Sequence, residues 1–432
     1  MIIDFSVQNF ASIKNKQTLS FEADKSTHLE DAYVIYCGQQ RILKLALIYG
    51  ANASGKTTIL KALHFLRNLI LKPEVKKTTD LKFNPFLFDQ LTPTQNSIIS
   101  ITFFQNGVKY FYEVVFFKKA IVSEELYFYK PNKANVFKRK TNLTKQYTEI
   151  EFGSKISADK IFRNTLEANT LSNNTVLGGY LKTNIDLEEL QEVINWFETY
   201  LNPLVYSETG LESYVTTKIQ ENEVSKSDIV TILKKADFNI SDVVIQEENK
   251  EIPNDFIEFL KRQLKASDER IKELEDIGKL SSVNLEFEYT VDNKAYTLPL
   301  EFESQGTRRY YGFAGLLALL IKKSTAVPID ELEASLHPNL YLHFLLSFLL
   351  NSKNSQIIAT THNREILDNK DIFRNDAIWF TDKQDSCATE LYSLADFDSS
   401  VVRNTTNILN AYKIGKLGAT PNLGDTFIEL NL

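Results

Sequence analysis

GANASGKT, residues 50–57, is the stretch that decides the fold, because it matches the phosphate-loop pattern G-x-x-x-x-G-K-T at every position. It follows the apolar run LALIY and precedes TILKALHFL, so the sequence predicts a strand, a loop and a helix in that order. Gly50 and Gly55 let the backbone curl until successive N–H groups face phosphate oxygens, and the helix adds its positive N-terminal end. Lys56 then reaches the β- and γ-phosphates, and the Thr57 hydroxyl is placed to bind Mg²⁺.

We therefore expect this segment to bind a nucleoside triphosphate together with Mg²⁺. An accidental glycine-rich turn would not explain why the full motif stands between a strand and a helix. The residues expected to contact the phosphates are Gly50, Asn52, Ala53, Ser54, Gly55, Lys56, Thr57 and Thr58.

Length and composition limit the class of protein. The 432 residues suggest two or three domains, and 43% hydrophobic residues are enough for a large core. A formal net charge of −7 gives no overall basic character of the kind that favours nucleic acid or an anionic membrane. Cys37 and Cys387 supply neither a disulfide framework nor a zinc site. The opening MIIDF does not read as a signal peptide and no apolar run is long enough to span a bilayer, so we expect a cytoplasmic protein without membrane contact.

The first third of the chain contains several predicted strands. Residues 2–10 and 17–21 are predicted as two short strands around a polar turn. The Asn-Gly pair at 106–107 predicts a hairpin, because apolar residues alternate on both sides of it. Residues 124–129 form a further predicted strand, which a basic stretch at residues 130–140 follows.

From about residue 141 to residue 279 the pattern becomes helical. One helix is predicted to start at Asp186, whose side chain can cap it. Its apolar stripe consists of Leu187, Leu190, Val193, Ile194, Phe197 and Leu201. A second helix is predicted over residues 255–276, and the Asp-Asn pair at 292–293 predicts a hairpin that returns the chain to alternating strands and helices.

Two segments near the C-terminus complete the expected site. TAVPI, residues 325–329, is a predicted strand that ends in Asp330 and Glu331. We expect Asp330 to hold Mg²⁺ through water and Glu331 to polarise the attacking water, although Pro328 is irregular inside a strand. QIIAT, residues 356–360, is a predicted buried strand that delivers His362, which can hydrogen-bond the γ-phosphate. An exposed acidic turn and a structural histidine are the alternatives when each motif is taken alone.

ESQGTRR, residues 303–309, opens another predicted helix. A Ser-x-Gly turn at a helix N-terminus can bind an anion by the same dipole argument as the phosphate loop. Because one chain rarely needs two such turns, we expect Ser304 and Gly306 to cap a γ-phosphate that a second copy holds. The alternative is an ordinary helix cap.

Taken together, the opening IIDFSVQNFASIK, GANASGKT, SQGTRR, IDELEASLHP and THN resemble the ABC-type ATPase heads of the RecF, SMC and OLD-like group. The chain is more similar still to bacterial AAA-type ATP-binding proteins related to OLD ATPases. Proteins of this kind include the ATPase subunits of the phage-defence systems PARIS and AbiL, in which the ATPase is paired with a separate toxin or nuclease.

The resemblance implies ATP as the nucleotide and a head-to-tail homodimer, or a higher oligomer, that sandwiches it. It places Asn9 and Ser12 near the nucleotide, and it makes Ser304 and Gly306 the signature contacts across the dimer. It also makes Ser335 the D-loop residue and His362 the switch histidine. Gln90 is the candidate Q-loop glutamine and a candidate Mg²⁺ ligand. Gln305 departs from the family pattern, which has glycine there, and this departure leaves the hydrolysis rate open.

The expected fold class is α/β, an ABC-type P-loop ATPase head of mixed sheets and flanking helices with a large, mainly helical insertion. We assign residues 1–140 and 281–432 to the head and residues 141–280 to the insertion.

Four functions remain open at this point. The first is an ATP-hydrolysing switch that controls a separate effector protein, and the second is an ATP-binding scaffold without turnover. The third is a DNA-binding clamp whose basic patch would be Lys130, Lys133, Lys138, Arg139 and Lys140. The fourth is an OLD-like nuclease, for which Asp396 and Asp398 mimic a metal-binding D-x-D pair, but few residues follow His362 to build such a domain.

Overall fold

A computed structural model describes residues 1–251, 279–397 and 407–421. The chain forms two compact units. The P-loop unit comprises Met1–Thr209, Leu320–Ala334 and Phe344–Leu432, and the second unit comprises Gly210–Leu319 and Ser335–His343. The predicted division into a head (residues 1–140 and 281–432) and an insertion (residues 141–280) is a division by family resemblance, which these compact units do not test. It stays a prediction.

The described residues contain the following strands and α-helices. The strands are β1 Ile2–Gln8, β2 Gln17–Ser20, β3 Val34–Cys37, β4 Gln40–Leu43, β5 Leu45–Gly50, β6 Ser97–Gln105, β7 Val108–Phe117, β8 Ala120–Tyr129, β9 Lys133–Asn142, β10 Tyr147–Phe152, β11 Ile240–Glu251, β12 Lys279–Val291, β13 Lys294–Pro299, β14 Ala326–Ile329, β15 Gln356–Thr360, β16 Ile378–Lys383 and β17 Thr389–Ser393. The helices are Glu30–Tyr33, Lys56–Leu71, Lys160–Asn169, Val176–Tyr180, Glu188–Asn195, Leu211–Gln220, Lys226–Lys235, Gln305–Lys322, Pro338–Asn351 and Ile408–Lys413.

A five-stranded sheet in the order β14-β15-β5-β16-β17 carries the phosphate loop. Its first four strands are parallel, and β17 pairs antiparallel with β16. Every residue of β5 is buried, as expected for a central strand that has neighbours on both sides. Because the carboxyl ends of parallel strands share one edge of a sheet, the segments after β5, β14 and β15 meet there. These three segments carry the phosphate loop, the paired acids and His362.

Pro328 lies on β14, the edge strand of this sheet. The carbonyl groups of Ala326 and Pro328 accept hydrogen bonds from the backbone of Asn202 and Val205. The missing N–H of Pro328 points to that same outer side, because N–H and C=O of one strand residue share a side. The ladder to β15 is therefore intact, and the irregularity that the sequence suggested has an ordinary edge-strand explanation.

A second, seven-stranded antiparallel sheet has the order β10-β9-β8-β7-β6-β1-β2. The predicted hairpin at 106–107 is confirmed between β6 and β7, with φ of 47° at Asn106 and 76° at Gly107. The two predicted N-terminal strands are likewise present as β1 and β2.

The region that was predicted as helical contains strands as well. β10 completes the seven-stranded sheet, and β11 joins β12 and β13 in a three-stranded sheet of the second unit. The predicted hairpin at 292–293 is confirmed, since it connects β12 to β13. The helix predicted over residues 255–276 lies outside the described residues.

The helix predicted from Asp186 begins two residues later, at Glu188, and its N-cap is Leu187 with no side-chain cap. The predicted start was therefore wrong. The N-cap position, which lies immediately before the helix, is occupied by Leu187 rather than by Asp186. The predicted apolar stripe is nevertheless buried throughout, and its last turn is a π-helix, Trp196–Tyr200. Among the described residues, no helix is long and apolar enough to cross a membrane.

Candidate functional site

The phosphate loop turns sharply between β5 and the helix Lys56–Leu71. Gly55 has φ 103° and Ala53 has φ 61°, both in the left-handed region. A Cβ atom on Gly55 would also lie only 2.0 Å from the Thr389 hydroxyl oxygen of β17. Glycine is thus required at position 55 both by backbone conformation and by space.

Lys56 is buried and is the first residue of its helix. Its Nζ donates hydrogen bonds to the carbonyl oxygens of Gly50, at 2.9 Å, and Ala51, at 3.0 Å. Burial lowers its pKa, and the charges of Asp330, Glu333 and Glu331 oppose that shift. The ammonium group therefore closes the loop on itself.

Thr57 and the acidic segment after β14 are in direct contact. The Thr57 hydroxyl donates to Asp330 Oδ1 at 3.0 Å, and the Thr360 hydroxyl at the end of β15 donates to the same oxygen at 2.6 Å. A hydroxyl beside a carboxylate fits Mg²⁺ held by Thr57 and, through water, by Asp330. In the part of the chain that the structure describes, no cluster of three His, Cys, Asp or Glu side chains could form a protein-only metal cage.

Glu331 is exposed directly beside this contact, with φ 50°. Its backbone N–H donates to the Thr360 hydroxyl at 2.8 Å, which fixes the backbone while the carboxylate remains in solvent. Glu331 is therefore accessible to solvent one residue after Asp330, and its role in polarising the attacking water stays a prediction.

His362 follows β15 and is tied to a residue that sequence reasoning missed. Its backbone N–H donates to Glu333 Oε1 at 2.5 Å, and Glu333 Oε2 is buried without a hydrogen-bond partner. Burial and the Lys56 charge lower the pKa of His362, whereas Glu333, Glu331 and Asp330 raise it. The signal for Glu333 was present in the spacing of the segment DELE, in which only the first two acids were given roles.

Hydroxyl groups support the loop from the side of β16 and β17. Ser12 Oγ lies 3.0 Å from Thr58 Oγ1 and 2.8 Å from Thr389 Oγ1. Ser54 Oγ lies 2.7 Å from Thr381 Oγ1. Ser12 is therefore adjacent to the phosphate loop, and its predicted place near the nucleotide stays a prediction. Thr381 and Thr389 were not predicted, since nothing in the sequence ties these distant strands to residues 50–58.

Two other predicted residues have structural surroundings. Asn9 is buried, and its amide nitrogen donates to the carbonyls of Thr92 and Gln95, both at 2.9 Å. Its Oδ1 accepts from the backbone N–H of Phe86, so the amide braces residues 86–95 and has no N–H left for a nucleotide. Gln90 is exposed, and the hydrogen bonds that join Thr57, Asp330 and Thr360 do not include it. The nucleotide and metal roles of these two residues stay predictions.

Ser304, Gly306 and Ser335 come together within the second unit. Ser304 is exposed and its hydroxyl accepts from the backbone N–H of Thr307 at 3.0 Å, as a helix cap does. A Cβ atom on Gly306 would lie 3.2 Å from the Ser335 carbonyl oxygen, and Ser335 is itself exposed with φ 63°. The ordinary cap that the sequence left open is present, and the turn beside it is open to solvent.

The basic stretch at residues 130–140, which the DNA-clamp alternative requires as a patch, is not continuous on the surface. Arg139 is fully buried and pairs with the buried Glu124 at 3.5 Å. Lys138 lies 3.9 Å from Glu125, and Lys133 lies over the Tyr127 ring. The prediction that Arg139 is part of an exposed nucleic-acid patch was wrong, because this strand residue faces the interior.

Asp396, the first residue of the D-x-D pair that the OLD-like alternative requires, caps a short 3-10 helix. Asp396 Oδ2 accepts from the Ser393 backbone N–H at 2.8 Å in a capping box. Asp398 lies outside the described residues.

Comparisons with known proteins found a matching family model and similar solved structures. The family model described as AAA ATPase domain, AAA_15, matches residues 1–367. No curated protein matches the chain. Similar solved structures include the SMC head domain from Thermotoga maritima, with 13% identity, a TM-score of 0.40, and coverage of 91% of this chain and 98% of that one. They also include the SmcHead bound to the C-winged helix domain of ScpA, with 12% identity, a TM-score of 0.41, and coverage of 91% and 97%.

The predicted α/β fold class, a P-loop ATPase head of the ABC type, is confirmed. A phosphate loop lies between a buried parallel strand and a helix, and the same unit contains a seven-stranded antiparallel sheet. The chain belongs to the AAA ATPase domain family.

Proposed function

We propose that this protein hydrolyses ATP in a head-to-tail homodimer and that the cycle switches a separate effector protein. The observation that carries the hydrolytic part is the Thr57–Asp330 hydrogen bond, which joins two motifs 273 positions apart into one site. Membership of the ATPase family supports the same conclusion.

Binding of the triphosphate requires Lys56 to exchange its partners. Its Nζ leaves the carbonyls of Gly50 and Ala51 and binds phosphate oxygens, whose charge favours the ammonium form despite burial. Mg²⁺ held at Thr57 and Asp330 would neutralise charge on the phosphates. The exposed Glu331 carboxylate accepts a proton from the attacking water, while His362 donates to the γ-phosphate.

The dimer part of the proposal depends on the Ser304–Gly306 turn. The phosphate loop belongs to one compact unit and this turn to the other. Ser304 and Ser335 are exposed, so their hydroxyl groups are accessible to a nucleotide held by a second copy. ATP then stabilises the dimer, and hydrolysis releases it.

The effector part of the proposal rests on resemblance to ATPase subunits of two-component phage-defence systems. A DNA clamp is less well supported, because Arg139 is withdrawn from the basic stretch by its buried pair with Glu124. A scaffold without turnover differs from a switch in one measurable respect, which is the response to removal of the proton acceptor.

Glu331→Gln tests the switch. We expect turnover to fall roughly 10²- to 10⁴-fold because the general base is lost, while ATP binding persists. The variant should accumulate as an ATP-dependent dimer in sedimentation velocity runs with ATP and Mg²⁺.

Ser304→Arg and Ser213→Arg provide the matched pair for the dimer. Both serines are exposed residues of the second unit, but only Ser304 is part of the proposed interface. Introduced into the Glu331→Gln background, Ser304→Arg should abolish the ATP-dependent dimer and Ser213→Arg should not. A Glu331→Gln protein that remains monomeric with bound ATP would overturn the proposal.

A further inference from the structure

A cavity of about 530 Å³ lies along the flank of the helix Lys56–Leu71, away from the phosphate loop. It lies wholly within the P-loop unit. Its lining includes Lys61, Lys72, Lys82, Asn68, Asn173 and Tyr206. At a rise of 1.5 Å per residue, Lys61 is about 7 Å and Lys72 about 24 Å along the axis from Lys56. The cavity is therefore separate from the phosphate contacts described above.

An orphaned acceptor lies in its wall. Asn173 is fully buried, and its amide nitrogen donates to the carbonyls of Lys76 and Thr79, both at 2.9 Å. Only the amide nitrogen can donate to two carbonyls, so the orientation of this amide is fixed. Its Oδ1 is buried without a hydrogen-bond partner. A buried amide oxygen left unpaired is unfavourable, so this atom favours a ligand that donates a hydrogen bond.

An orphaned donor follows from the chemistry of the neighbouring histidine. The backbone N–H of Leu204 donates to His64 Nδ1 at 3.1 Å, so Nδ1 carries no proton. Burial, together with the charges of Arg67 and Lys72, lowers the pKa of His64 and favours the neutral ring, whose proton is then on Nε2.

The Asn68 amide lies 2.8 Å from His64 Nε2, with its nitrogen toward the ring and its Oδ1 buried without a partner. An Nε2–H group needs an acceptor, so the amide must take the reverse orientation, with Oδ1 toward the histidine. The Asn68 amide nitrogen then takes the buried position that Oδ1 held in the wall of the cavity, and it is an unpaired donor.

The cavity is lined by exposed lysines on one side and by aromatic rings on another. Lys61, Lys72 and Lys82 are exposed, and together they outnumber the one lining acid, Glu74. Phe65 and Phe83 pack against each other at 5.5 Å between ring centroids and form an apolar floor. A mostly apolar cavity with a few placed polar groups and this volume is typical of a small-molecule site.

The geometry points to a second ligand site, which takes a small organic anion. Its uncharged hydrogen-bonding end enters between Asn68 and Asn173, where it accepts from the first and donates to the second. Its phosphate or carboxylate group lies at the three lysines. Tyr206 lines the same cavity.

Isothermal titration calorimetry tests the site, with the full chain first saturated with ADP and Mg²⁺. One arm uses AMP, which carries a phosphate and a base edge with donors and acceptors but lacks the β-phosphate that the loop cradles. The other arm uses N-acetylglutamate, which carries two carboxylates and one amide. We expect one of these probes to bind with one equivalent per chain.

Rim and interior variants locate the binding. Lys61→Glu and Lys72→Glu should each weaken it about tenfold or more by replacing attraction with repulsion. Lys353→Glu, the same change at an exposed lysine outside the cavity, should leave it unchanged. Asn68→Leu should abolish it, and it should also lower the melting temperature because His64 Nε2–H loses its acceptor. Failure of both probes at about 10 mM, or binding that none of these cavity variants affects, would overturn the proposal.

Discussion

The two glycine turns of this protein that are suited to anions differ in how their polar groups are used. In the phosphate loop, Lys56 and Thr57 already have partners inside the P-loop unit, and Thr389 packs directly over Gly55. In the second unit, Ser304 and Ser335 are exposed, and Ser304 caps only its own helix. The first turn is held by its own chain, whereas the second is open to a partner. This difference is why we assign nucleotide retention to the first and dimer formation to the second.

Substitution of the two glycines by alanine should give the largest contrast. Gly55→Ala forces a Cβ to 2.0 Å from the Thr389 hydroxyl and requires positive φ, so we expect at least about 2 kcal/mol lower stability and loss of ATP binding. Gly306→Ala needs no positive φ, and its Cβ would lie 3.2 Å from the Ser335 carbonyl.

The Gly306 variant should therefore change the free energy of unfolding by less than about 1 kcal/mol while it weakens the ATP-dependent dimer. Urea denaturation measures the change in stability, nucleotide titration measures ATP binding, and sedimentation measures the ATP-dependent dimer. Equal loss of stability in both variants would remove the distinction between the two turns.

Glu333, which contacts the segment after β15 at the phosphate-loop site, provides a test with an effect of intermediate size. Glu333→Ala removes the acceptor of the His362 backbone N–H, and turnover should fall roughly tenfold because a hydrogen bond to a charged group contributes about 1.5–3 kcal/mol. Glu333→Gln keeps an oxygen for that bond, so its turnover should fall less.

The same pair has a pH signature. The negative charge of Glu333 raises the pKa of His362, so its neutralisation in Glu333→Gln should lower that pKa further below 6.5. His362 would then become protonated only at more acid pH, and the acid limb of the rate profile should move in that direction. NMR titration of the ring checks this. An unchanged or higher His362 pKa in Glu333→Gln would show that the Glu333 charge does not act on His362.

Threonine substitutions should give the smallest contrast. Thr389→Ala loses a hydroxyl that lies 2.9 Å from the Ser54 carbonyl, so we expect about 0.5–1.5 kcal/mol lower stability and weaker ATP binding. Thr307→Ala loses only a hydroxyl contact to the exposed Ser304, and the backbone cap remains. Thermal unfolding of the two variants makes the comparison. A larger loss from Thr307→Ala would contradict it.

Local patterns predicted the parts of the fold that depend on short-range chemistry. The phosphate loop, both hairpin turns and the apolar stripe of Glu188–Asn195 each follow from residues within one short window. The paired acids and His362 were predictable as motifs, and parallel pairing of β14, β15 and β5 brings them together.

What the sequence did not predict depends on long-range pairing. Thr389 meets Gly55 only because β17 pairs with β16 at the edge of the sheet, which no local pattern reports. Arg139 was counted in the basic patch of the DNA-clamp alternative, yet Glu124 on the neighbouring strand allows its burial. Asn9 was placed near the nucleotide by resemblance alone, and nothing in the sequence indicates that its amide braces residues 86–95.

Mixing two inactive variants tests most directly whether one ATP is held between two copies. Lys56→Ala removes the phosphate contact and Ser304→Arg blocks the open turn, so each protein alone should have little ATPase activity. In a mixed dimer, the phosphate loop of the Ser304→Arg chain meets the intact turn of the Lys56→Ala chain and forms one complete site. We predict that the mixture recovers ATPase activity well above the sum of its parts. Full activity of Ser304→Arg alone, or no recovery on mixing folded variants, would contradict a site shared between two chains.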